Sequence, residues 1–298
     1  MPSDSARAPG LLTLCALGAL SASCGSSDPF SLPVPAESPS GFMVLADTVI
    51  DPLSGLQWER KVSAQTFTAA SAGNPQPEVT RARDYCSALR TGGFSDWRLP
   101  SRLELLFIAD HSRAKPAIDP ESFPGTPPKP FWTGTRQPFP NQQYAIDFGD
   151  GDVTYDGDIG SPVYVRCVRG TRTIEAPPEP FIAYEETVYD LRTGLRWQRS
   201  PPPTLYNKAE GAIAYCRDLV LAGAAGWRLP TIKELNTLID EKRTGPAIDP
   251  VTFPDTRSEW YWSSSAYVGL SGYHWAVSFG DGASYINVSS KGIARCVK

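Results

Sequence analysis

A chain of 298 residues with 41% hydrophobic and 20% charged side chains has a globular composition and room for about two domains. Its formal net charge of -4, with no Lys/Arg run in either repeat, argues against the basic face with which nucleic-acid binders usually grip phosphate, leaving only a local basic patch assembled by folding as the alternative.

The first residues have the layout of a bacterial export signal. Arg7 gives a thin positive region, Leu11 to Leu20 a short apolar one, and Ser21-Ala22-Ser23 a small-residue exit before Cys24. The apolar run is shorter than the roughly 20 residues that span a bilayer, so cleavage is expected over retention. Cys24 after small residues resembles a lipobox, in which the thiol is acylated. Ser21 stands where Leu is usual, and ordinary cleavage or a retained anchor remain the alternatives. Export would place the chain at the outer membrane or cell surface as a lipoprotein, or otherwise in the periplasm or outside the cell. Its contact with the membrane would be through the lipid alone.

Residues 1–23 are thus read as a signal peptide and 24–45 as a Ser/Pro-rich tether. The remainder is one domain written twice, 46–170 and 185–298, with 171–184 as linker. TVIDPLSGLQWER at Thr48 to Arg60 and TVYDLRTGLRWQR at Thr187 to Arg199 share an offset of 139 and read as hairpins. The offset then falls to 130, because copy one carries a polar Pro/Asn/Gly insertion within Val62 to Val79, expected in a surface loop. A helix follows, carrying Cys86 or Cys216. In copy two Asn207 and Glu210 have the spacing of a capping box, and Gly92-Gly93 and Gly223 are expected to end the two helices.

FSDWRLPSRLEL and AAGWRLPTIKEL come next, at Phe94 and Ala224. Trp-Arg-Leu reads as a short strand that buries a tryptophan, closed by proline. Ser101 or Thr231 caps a second helix, with Glu104 or Glu234 three places on to bond back to the cap amide. Leu103, Leu106 and Phe107, and Ile232, Leu235 and Leu238, are the expected buried stripes. Both copies then write Pro-Ala-Ile-Asp-Pro, followed by strand-like segments ending in YAIDFGDG or WAVSFGDG and in YVRCVRG or IARCVK. Asp150-Gly151 and Asp281-Gly282 are hairpin-turn dipeptides.

Cys86 to Cys167 spans 81 positions and Cys216 to Cys296 spans 80, at matching places in the two copies. One disulfide per copy is the simplest pairing and requires an oxidising compartment, with four buried thiols as the alternative. The expected class is α+β: two tandem domains, each with two helices, an antiparallel sheet and one disulfide.

The ordered set D-x-x-S/T-G-L-x-W, W-R-L-P-S/T-x-x-E-L, F/Y-W-S/T, A-I/V-x-F-G-D-G and R-C-V is present in both copies. It resembles the Lcl C-terminal-domain family, named for the C-terminal domain of a Legionella collagen-like surface protein. The resemblance implies a variant of the C-type lectin fold, whose disulfide joins the first helix to the last strand, on an exported protein associated with adhesion or glycan binding. The Glu-Pro-Asn and Trp-Asn-Asp segments of calcium-dependent lectins are missing, so a calcium-mediated sugar site is not implied. Formylglycine-generating enzymes share R-L-P-T before a Glu-bearing helix, but they need a reactive cysteine pair, and here the four domain cysteines are expected in staples.

No catalytic residue is expected. His111 and His274 occupy unmatched positions, GLSG at Gly269 to Gly272 lacks the nucleophile-elbow form, and no P-loop sequence is present. Asp147, Asp150, Asp152, Asp156 and Asp158 form a carboxylate-rich hairpin that could hold calcium, the one cofactor considered; the plainer reading is a solvated turn whose charges discourage edge pairing. Aromatic rings could meet a sugar face or a protein. The repeated Trp132, Trp262, Phe148 and Phe279 are expected in the core, and the copy-specific Tyr267, Tyr273 and His274 at a ligand. The functional expectation is an exported surface protein that binds an extracellular glycan or protein, with a structural envelope protein as the alternative and no nucleic-acid partner.

Overall fold

The computed structural model describes residues 34–36, 39–67, 75–155, 162–171, 179–286 and 291–298. Cys24 and the segment read as an export signal lie outside them. Copy one runs β1 (Met43–Val44), β2 (Thr48–Ile50), β3 (Gln57–Glu59), α1 (Gln76–Ala88), α2 (Arg102–Phe107), β4 (Pro130–Arg136), β5 (Gln143–Asp147), β6 (Asp152–Tyr155) and β7 (Val168–Arg169). Copy two repeats the order with β8 (Phe181–Ala183), β9 (Thr187–Asp190), β10 (Leu195–Gln198), α3 (Ala209–Asp218), α4 (Ile232–Asn236), β11 (Trp260–Ala266), β12 (His274–Ser278) and β13 (Ser284–Ile286), and in place of β7 it has bridges at Val297.

Each copy holds two small antiparallel sheets where one was expected. Among the described residues the orders are β1-β2-β3-β7 with β4-β5-β6, and β10-β9-β8 with β11-β12-β13. Strands β1 and β8 fall in segments read as tether and linker. Each adds one strand to the opening hairpin, pairing Val44 with Val49 and Ala183 with Val188. Trp97-Arg98-Leu99 forms no strand of its own. Arg98 makes a single bridge to Val168, and Arg228 one to Val297.

The disulfides pair as the repeat spacing predicts. Cys86 meets Cys167 at a Cα separation of 5.5 Å, and Cys216 meets Cys296 at 5.4 Å. Around each bridge lies a separate apolar cluster, with Trp97, Leu99 and Trp132 in copy one and Trp227, Leu229 and Trp262 in copy two. A second cluster on the other side of the β4-β5-β6 or β11-β12-β13 sheet collects Trp58, Leu105, Phe131 and Phe148, or Trp197, Leu235, Tyr261 and Phe279. Leu105 takes the buried place expected of Leu103, which is only partly covered. The Arg of R-C-V is fully buried in both copies. Arg166 donates to the carbonyls of Glu59 and Arg60 and to the Thr126 hydroxyl; Arg295 makes the same set with Gln198, Arg199 and Thr256.

The second-helix caps form as written. Glu104 N donates to Ser101 Oγ at 3.3 Å and Ser101 N to Glu104 Oε2 at 2.8 Å, with Thr231 and Glu234 repeating the box. The first helices differ from expectation. Lys208, not Asn207, precedes α3 and no side chain caps it, while Gly92 and Gly223 lie in turns after the helix ends, at φ 65° and 71°.

The motif Arg also has a role that the spacing alone did not assign. Arg98 forks onto Glu104 with bonds of 2.8 and 2.7 Å, and Arg228 onto Glu234 with 2.7 and 2.6 Å. Burial pushes the Glu104 and Glu234 carboxyls up, and the arginines with the cap amides more than reverse it, so both sit below the usual range. Replacing Glu234 with Gln removes one arm of the fork and the charge. Urea unfolding of Glu234→Gln is expected to show a loss of about 1–3 kcal/mol, and Arg228→Ala in the same background should add little.

Candidate functional site

Helices α2 and α4 pack against each other across a seam between the copies. Arg102, fully buried, reaches from α2 to Asn236 Oδ1 at 2.6 Å, Asn236 O at 3.0 Å and Glu241 Oε1 at 2.9 Å. Lys233 returns from α4, donating to Phe107 O at 3.1 Å and to Ala36 O at 2.9 Å. The segment read as a free tether is therefore docked at residues 34–36, where Pro35 is buried.

The FGDG hairpins complete the seam, with β6 beside β13. Val153 N donates to Ser284 Oγ at 2.8 Å, Ser284 Oγ to Asp152 Oδ1 at 3.2 Å, and Tyr144 Oη to Asp281 O at 2.6 Å. The glycines of both turns are required twice over. Gly282 has φ 80°, and an added Cβ would lie 2.6 Å from Tyr144 Oη and 2.8 Å from Ile239 Cγ2. Gly151 has φ 98°, and its Cβ would lie 2.9 Å from the His111 ring. In its described part, Asp147 to Tyr155, the carboxylate-rich hairpin is thus not a solvated edge: its second strand packs against β13 of copy two.

His111 lies in this seam, 2% exposed, with Nε2 at 3.1 Å from Gly151 O and its ring edge-on to Trp275 at 5.5 Å. Burial, then the nearby Lys233 charge, pull its pKa down to about 3.

At the mouth of the seam lies a cleft of about 580 Å³. Tyr155 from β6 and Trp260 and Tyr285 from copy two supply aromatic wall; Asp147, Asp152 and Asp281 supply carboxylates and Lys129 a cation. Tyr285 is 54% exposed. Asp152 is raised well above the usual carboxyl range, first by burial and then by the Asp150 charge, and Asp150 is raised by burial too. Asp147 Oδ1 accepts from Gly149 N at 2.7 Å and Asp281 Oδ1 from Ala283 N at 3.1 Å.

The proposed calcium ligands are split by this arrangement. Asp147 and Asp152 line the cleft, Asp150 faces the Tyr267 hydroxyl at 3.4 Å, and Asp156 and Asp158 lie outside the described residues. Among the described residues, no three His, Cys, Asp or Glu side chains converge so that they could hold a metal ion. The three expected ligand-binding residues are also separated. Tyr267 packs edge-on to Trp275 at 5.3 Å, within the seam, whereas Tyr273 and His274 line a smaller hollow of about 280 Å³ with Asn207, Lys208 and Trp262. Trp132, Trp262, Phe148 and Phe279 are core residues, as expected.

Two matching domains, each with its own disulfide, capped helix and R-C-V arginine, decide the relationship. The Lcl C-terminal domain model matches residues 47–169 and 186–298. The chain belongs to the Lcl C-terminal domain family. Both Lcl C-terminal domains carry the complete set of repeated motifs. Among curated proteins, none matches the chain. No helix of the described residues is long and apolar enough to cross a membrane.

The seam ties acid stability to His111. The unfolded imidazole takes a proton near pH 6.5, whereas the folded one resists until about pH 3. Between those values the unfolded state binds more protons, so stability falls as pH falls, by up to about 1.4 kcal/mol per pH unit for one proton. The raised Asp152 and Asp150 carboxyls act in the opposite direction over this range, so the His111 share is read as a difference: the urea midpoint of the native chain, measured relative to that of His111→Gln, should fall from pH 7 to pH 4.

Proposed function

We propose that this chain is an exported bacterial surface protein whose tandem C-type-lectin-like domains bind an extracellular glycan or protein ligand, without catalysis. The cleft between the copies carries the reading. It combines aromatic rings with fixed carboxylates, the mixture by which shallow sites recognise ligands with both an apolar face and polar groups. Family membership supports a surface or secreted setting, and the helix-to-C-terminus disulfides are in keeping with an oxidising compartment. The lectin-like fold is supported by the same disulfide connection and by the two-helix, two-sheet order of each copy. Acylation at Cys24 would hold the domains at the membrane surface.

The test is binding of the fragment 25–298 to an immobilised glycan panel and to extracellular matrix proteins, in calcium and in chelator. Saturable binding is expected, with Trp260→Ala weakening it at least roughly tenfold, equivalent to about 1.4 kcal/mol. Retained affinity in Trp260→Ala would remove the seam cleft as the site. Loss in chelator would make calcium part of recognition.

A further inference from the structure

We propose that the seam cleft selects a glycan carrying free amines, a polymer of unacetylated amino sugar, over neutral or sulfated glycans. This rests on the reading that the chain binds a glycan, and it names the class.

The walls and the charges point the same way. Tyr155, Trp260 and Tyr285 line one continuous hollow with Asp147, Asp152 and Asp281, and Lys129 is the one basic residue in that lining. None of the three carboxylates is in an ion pair among the described residues, although arginine forks satisfy Glu104 and Glu234 elsewhere. A sulfate entering here would meet the carboxyl groups of Asp147 and Asp281 on either side of the hollow, with Lys129 the one cation to offset them. An ammonium would meet opposite charge and aromatic rings, and a cation held against an aromatic face gains about 0.5–2 kcal/mol. A pyranose ring supplies the flat apolar face that the same rings can cover.

Asp152 gives the selection a signature. Its carboxyl is held toward the neutral form by burial and by Asp150, with Ser284 the hydroxyl donor at 3.2 Å. An ammonium placed in the cleft favours the ionised form, so binding shifts the carboxyl's proton toward solvent. The cleft also draws on both copies, Asp147 to Tyr155 from the first and Trp260 with Asp281 to Tyr285 from the second. One copy alone would present half of it.

The experiment is calorimetric titration of the fragment 25–298 with a glucosamine hexasaccharide, its fully N-acetylated counterpart, a heparin-type sulfated hexasaccharide and an oligolysine peptide, at a pH where the sugar amines are charged. The unacetylated sugar is expected to bind at least tenfold tighter than the acetylated or sulfated one. Its apparent enthalpy should vary with the ionisation enthalpy of the buffer, as proton release requires. Asp281→Asn and Asp147→Asn, which keep the side-chain oxygens that accept from the turn amides, should each weaken it severalfold without lowering the melting temperature. Equal affinity for the acetylated sugar would overturn the selection for amines while leaving glycan binding intact. Tighter binding of the sulfated sugar would overturn it too. Binding of oligolysine without any sugar would overturn the amino sugar as the source of the cation and move the function to a protein ligand, and binding of none of the four would remove the glycan reading with it.

Discussion

Two very short helices depend on a carboxylate each. Isolated helices of five or six residues do not persist in water, because nucleation costs more than so few bonds return. Here α2 and α4 are held by Glu104 and Glu234, each bonded at once to its cap amide and to an arginine fork from the preceding segment. Because both helices are fixed at their first turn, the residues that follow are presented in fixed directions. Arg102 and Lys233 then cross the seam, and the FGDG hairpins close beside them. The cleft at the seam's mouth is therefore a distant consequence of a capping motif.

Much of each domain could be read from the chain. The repeat placed the hairpins, the capped helices, the disulfide pairing and the core tryptophans, because these depend on short-range spacing and on positions that recur in both copies. Strands β1 and β8 could not be read so, since each consists of two or three residues whose pairing is decided by a neighbour. The same limit applies to the site. Tyr155 lies 105 and 130 positions from Trp260 and Tyr285, and only the packing of one copy on the other brings them together.

The seam did leave a trace in the sequence, in the places where the copies disagree. Arg102 stands where copy two has Ile232, Lys233 where copy one has Leu103, and Asn236 where copy one has Leu106. Each is a polar residue at a helical position that its counterpart keeps apolar, and all three are fully buried. A buried polar side chain must find a partner or destabilise the fold. Asn236 bonds within its own helix to Ile232 O and also accepts across the seam from Arg102, which reaches Glu241 as well; Lys233 crosses to the carbonyls of Phe107 and Ala36. Differences between repeats are thus a better guide to the interface than their similarities. His111 is a different kind of divergence, a buried ring in a turn where copy two has the seam residue Glu241.

That the two domains form one body through this seam is the claim on which the cleft rests. Its most direct test is to place a protease site within 172–178, cut the folded chain, and follow it by size-exclusion chromatography under non-denaturing conditions. The two halves should continue to elute together as one species at nanomolar concentration. Separation of the halves into two folded domains would contradict the account, because neither would then carry the complete cleft.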